Sequence, residues 1–68
     1  MEKIIKIEGM SCNHCVMAVK NALSEIKGIS HVEVELDNNR AIVKGDNLED
    51  NILKEAVEDA GYDVIEIN

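Results

Sequence analysis

The chain has 68 residues, 46% of them hydrophobic, a single aromatic residue (Tyr62) and a formal net charge of −7 at pH 7. A chain this short makes one domain, residues 1–68, and buries only about 60% of the surface that its unfolded form exposes, which argues against a large enclosed active site. Fourteen acidic residues against seven basic ones, with no Trp or Phe to stack on bases, argue against nucleic acid as a partner.

In chain order, residues 3–8 come first, rich in β-branched side chains and closed by Gly9. They predict a strand with Ile5 and Ile7 on one face. Next stands Gly9-Met10-Ser11-Cys12-Asn13-His14-Cys15, with the only two cysteines three positions apart. From residue 13 to 27, Val16, Val19, Leu23 and Ile26 recur at helical spacing, and Gly28 supplies the stop. The cysteines therefore fall at the start of a helix, whose unpaired N–H groups and positive dipole end favour thiolates.

Residues 31–36 alternate polar and apolar, which turns Val32, Val34 and Leu36 inward and His31, Glu33 and Glu35 outward. A polar turn over residues 37–40 leads into a strand over 41–44, and the two strands read as an antiparallel hairpin. Asn47 is the expected cap of a second helix, with Leu48, Ile52, Ala56, Val57 and Ala60 as its apolar stripe and Gly61 as its end. The last strand, residues 62–67, has no defined facing, because Val64 and Ile65 are adjacent and neither parity is wholly apolar. The resulting order, βαββαβ, predicts an α+β, ferredoxin-like sandwich: a four-stranded antiparallel sheet with both helices on one face.

Charge is unevenly placed. Residues 9–32 sum to +1 and residues 33–68 to −8. No stretch reaches membrane-span length and the N-terminus lacks the pattern of a secretory leader, so a cytoplasmic protein in a reducing compartment is expected.

The chemistry concentrates on Cys12 and Cys15. A cysteine at a helix start or within Cys-x-x-Cys has its pKa lowered from about 8.5 to roughly 3.5–7.5, so the ligand form is present near neutral pH. Two soft sulfur ligands suit Cu(I) better than Zn(II), which usually takes four tetrahedral positions. Such an open site accepts a third thiolate from another protein, which predicts carriage of a metal rather than catalysis. Cys-x-x-Cys is also a redox motif, but the aromatic residue before it and the proline in or opposite it, found in thioredoxin-like proteins, are absent here.

With Gly-Met-x-Cys-x-x-Cys unbroken over residues 9–15, the βαββαβ order and the closing Gly61-Tyr62, essentially the whole chain resembles the heavy-metal-associated domain family, nearest to its small bacterial copper chaperones. The resemblance implies that Cys12 and Cys15 bind Cu(I) and pass it to the Cys-x-x-Cys metal-binding domain of a copper-transporting P-type ATPase. It implies a monomer without metal, two copies of which can bridge copper, and no membrane insertion. Gly9 shapes the loop, Met10 turns inward beneath it rather than ligating, and Tyr62 either brings its hydroxyl near the sulfurs or covers the loop's edge with its ring. His14 is either a group that tunes the thiols or a solvated side chain. Ser11, where zinc-handling relatives often carry an acid, leans toward copper. An excised domain of a transporter ATPase, or a carrier of Zn(II), Cd(II) or mercury, remains an alternative. Met1 and the lack of a linker at either end favour a separate carrier.

Overall fold

In the computed structural model, which describes residues Met1–Asn68, six elements follow one another. They are β1 (Glu2–Glu8), α1 (Asn13–Ser24), β2 (Ile29–Glu35), β3 (Arg40–Gly45), α2 (Asp50–Asp59) and β4 (Asp63–Ile67). The strands form one sheet in the order β2-β3-β1-β4, with every neighbouring pair antiparallel. Ile5 and Ile7 of β1, Ala41 and Val43 of β3 and Val32 of β2 pack with Val19 and Leu23 of α1 and Leu53 and Val57 of α2 in a single buried cluster. Both helices therefore cover the same sheet face, as the order of elements predicts. α1 lies against β2, and α2 lies against β4.

The open face carries a row of charges from edge to edge. Glu35, Arg40, Lys6 and Glu66 are successive cross-strand partners, and the two inner cations pair outward, Arg40 with Glu35 and Lys6 with Glu66. Asn38 also donates to Glu35 at 3.2 Å, which ties the hairpin turn to its base. Each inner cation thus has an acid beside it, which relieves the like-charge contact between them.

Three expectations change, and one question left open by the sequence is answered. α1 stops at Ser24 rather than Lys27: the chain tightens into an i to i+3 turn, with Ile26 N–H donating to the Leu23 carbonyl at 3.1 Å. Ile26 still reaches the core from that turn. Gly28 follows with φ +97°, and a Cβ there would come within 2.6 Å of the Asp46 carbonyl oxygen.

α2 is not capped by Asn47, which adopts φ 56°; the residue before the helix is Glu49, and its side chain makes no capping bond. Asp50 in the first turn is instead paired with Lys3 at 3.2 Å. Within α2 the core residue is Leu53, while Ile52 is 44% exposed. Adjacent helical positions lie about 100° apart, so Leu53 and Val57 set the inward direction and turn Ile52 aside.

The facing of β4 is resolved by a bulge. Lys6 pairs with Glu66 and Ile7 with Val64, so Ile65 has no partner on β1. The extra residue resets the alternation, and Val64 and Ile67 both pack on the core while Ile65 is 61% exposed. β2 carries a matching irregularity: Ile29 pairs with Gly45 and His31 with Lys44, which leaves Ser30 extra. Ile29 and Val32 consequently both reach the core.

Candidate metal centre

β1 runs to Glu8, which pairs with Asp63 of β4, and Gly9 then bends the chain away from the sheet with φ +103°. A Cβ at Gly9 would stand 3.6 Å from the Tyr62 ring, an ordinary contact, so the backbone angle rather than space calls for glycine here. Met10, 8% exposed, inserts its thioether chain into the core cluster. One buried side chain thereby holds a loop whose next residues, Ser11 and Cys12, are exposed.

Cys12 is the residue that precedes α1, with extended backbone at φ −159° and ψ 175°. Its carbonyl accepts hydrogen bonds from the N–H groups of Cys15 (3.0 Å) and Val16 (3.3 Å), which closes the first turn. Cys15, half-buried, is thus brought back under Cys12, and the two sulfurs are 3.9 Å apart. Both are free thiols. No side chain caps this helix start and no acid stands in its first turn, so the positive end of the helix acts on the sulfurs without a competing carboxylate.

The polar surroundings act most clearly on Cys15. Its pKa is lowered from the ordinary 9.0 to about 6, chiefly by the backbone N–H of Ser11, then by the Tyr62 hydroxyl, with smaller help from the Cys12 backbone and the Ser11 hydroxyl; burial opposes them. The Ser11 Oγ lies 3.9 Å from the Cys15 sulfur. Reciprocally, the Tyr62 pKa is raised, first by the polar interaction of its hydroxyl with Cys15 and then by burial and by the charge of both cysteines. Near neutral pH this is a thiolate facing a protonated phenol.

The residues singled out in the sequence fall into two groups. Cys12, Cys15, Gly9 and Tyr62 come together at the loop. Met10 lies beneath it in the core, and His14 does not converge with the two sulfurs, because no three His, Cys, Asp or Glu side chains gather at any one point. The sequence marks Ser11 only by the carboxylate it lacks, whereas in the structure its backbone and hydroxyl both act on Cys15. Its position four residues before Cys15, just ahead of a helix start, is the available signal.

The family model described as Heavy-metal-associated domain matches residues 4–63. The chain is 46% identical over 66 residues to a protein of Staphylococcus haemolyticus (strain JCSC1435) named Copper chaperone CopZ, covering 94% of this chain and 97% of that one. Among solved structures it resembles a CopZ metallochaperone at 40% identity and a TM-score of 0.91, over 96% of this chain and 100% of the other. It also resembles a copper binding domain from HMA7, a P-type ATPase, at 32% identity and a TM-score of 0.88, over 100% and 99% of the two chains.

Proposed function

The chain belongs to the heavy-metal-associated domain family, and from that premise we propose that it is a copper chaperone, a carrier rather than a catalyst, whose 68 residues act as one metal-binding domain. Cys12 and Cys15 are its ligands. The carrying observation is the pair of sulfurs 3.9 Å apart at the exposed start of α1. With metal–sulfur bonds of about 2.3 Å, that separation encloses an angle of about 115° at the ion. Such an angle is close to three-coordinate geometry and leaves a third position open to solvent.

Transfer then needs no change of fold. A thiolate of the receiving protein adds to Cu(I) as the third ligand and one bond to this chain breaks. The released cysteine regains a proton or stays ionised, and the copper remains Cu(I) throughout. Repetition at the second cysteine completes the exchange. The receiver is a Cys-x-x-Cys domain of a copper-transporting P-type ATPase, a reading supported by the likeness to the HMA7 domain. Because direction follows the difference in affinity, the exchange is reversible. Such a carrier works in the cytoplasm, where thiols stay reduced, and no helix here is long and apolar enough to cross a membrane.

The test is an anaerobic titration of the reduced protein with Cu(I), and separately with Zn(II), each against a chromophoric chelator. Cys12→Ser and Cys15→Ser should each abolish tight Cu(I) binding. Retention of tight binding in either variant, or preference for Zn(II) after correction for chelator strength, would refute the assignment.

A further inference from the structure

Met17 is a large side chain on the outer surface of α1 whose placement the fold does not require. It is 60% exposed, whereas Val19 and Leu23 of the same helix are fully buried and carry its packing. His14 lies three residues earlier in α1 and is also exposed. Residues so spaced share a helix face, with about 5–6 Å between their Cβ atoms.

Both side chains are uncommitted: neither enters any side-chain hydrogen bond or ion pair of the molecule. His14 is not gathered with Cys12 and Cys15 into a three-donor group. No carboxylate belongs to α1, so nothing on this face would recruit a hard ion.

We propose that His14 and Met17 form a second, weaker soft-metal site on α1, distinct from the cysteine pair and selective for monovalent Cu(I) or Ag(I). A thioether selects soft ions, and imidazole suits copper. An ion in linear two-coordination, with bonds no shorter than the roughly 2.0 Å to nitrogen and 2.3 Å to sulfur that zinc makes, needs donors at least about 4.3 Å apart. Two exposed side chains nearly one helical turn apart can be brought to that span, because Met has three rotatable bonds with which to adjust. Neutral donors bind less tightly than thiolates, so the site fills after the cysteine pair. It holds a second ion beside the transfer loop, and it stands whether or not the protein delivers copper to an ATPase.

The test uses Ag(I), which carries no redox chemistry, added as the nitrate in chloride-free buffer to protein labelled with 13C at the methionine methyl groups. Up to one equivalent, the methyl signal of Met17 should stay close to its metal-free position. Between one and two equivalents it should shift together with the His14 ring signals, while Met1, equally open to solvent, and buried Met10 stay in place. Met17→Leu should lose the second-equivalent response while keeping the first, and His14→Ala should lose the second-equivalent shift of Met17. In a Cys12→Ser/Cys15→Ser double variant the Met17 shift should appear with the first equivalent. A second equivalent that survives Met17→Leu, or a Met17 methyl that never moves in the double variant, overturns the proposal. Neither outcome depends on whether the cysteine pair is the primary copper site.

Discussion

The Tyr62 hydroxyl and the Cys15 sulfur act on each other in opposite directions, the phenol keeping its proton while the thiol loses one. This makes Cys15 a pH-dependent part of the fold. Its folded-state pKa of about 6 lies below the ordinary 9.0, so the unfolded chain holds the proton over the interval between them. The stabilisation is complete above pH 9.0 and is lost as the pH falls through about 6. Denaturant midpoints of the metal-free, reduced protein should therefore rise between pH 6 and pH 9, and Cys15→Ser should flatten that rise. Tyr62→Phe should move the midpoint of Cys15 alkylation above about 6, since it removes the second-largest cause of the shift. Met10 has a different weight at the same site: its truncation to Ala opens the core and should cost about 2–5 kcal/mol in denaturant unfolding. The same change should loosen the loop that holds the sulfurs.

At the level of elements, the turn after α1 and the end of β3 are pressed together. A Cβ on Gly45 would lie 2.1 Å from the Gly28 carbonyl oxygen, and the Asp46 N–H donates to that same oxygen at 2.9 Å. Gly45→Ala must push backbone apart at the end of an inner strand, and thermal unfolding should register a clear loss, on the order of 1–3 kcal/mol. Along α2, Leu53→Ala should cost about 2–5 kcal/mol and Ile52→Ala under about 1 kcal/mol, because only Leu53 is fully buried. That pair also marks the limit of what the sequence reveals. The βαββαβ order was legible because strands and helices imprint their own periods on the chain, and the cysteine pair was legible because spacing alone brings both thiols to one helix start. Ile52 and Leu53 are neighbours of equal hydrophobicity, so only the packed helix decides between them. The facing of β4 was illegible because a bulge is a relation between two strands. The action of Ser11 on Cys15 likewise depends on how the loop folds back over the helix start, and the nearness of Tyr62 is foreshadowed only by the family resemblance, since it joins a loop and a distant turn in space.

For the whole molecule, one cluster of 11 buried residues receives side chains from both helices, from three strands, from the metal loop and from the segment before α2. With so small a shared core, unfolding should be a single cooperative transition. A ligand that binds only the folded state then raises stability by RT ln(1 + [L]/Kd), about 2.7 kcal/mol at a free concentration of 100 times Kd. Saturating Cu(I) should accordingly raise the thermal midpoint of the wild-type protein and raise it far less in the Cys12→Ser/Cys15→Ser double variant, as calorimetry under anaerobic conditions would record. The positions of Ser30 and Ile65 bear on how two such molecules can meet. Each breaks the step of an outermost strand, so a stranger's backbone laid along either rim finds an interrupted ladder rather than a template. Growth by rim-to-rim addition is discouraged on both sides.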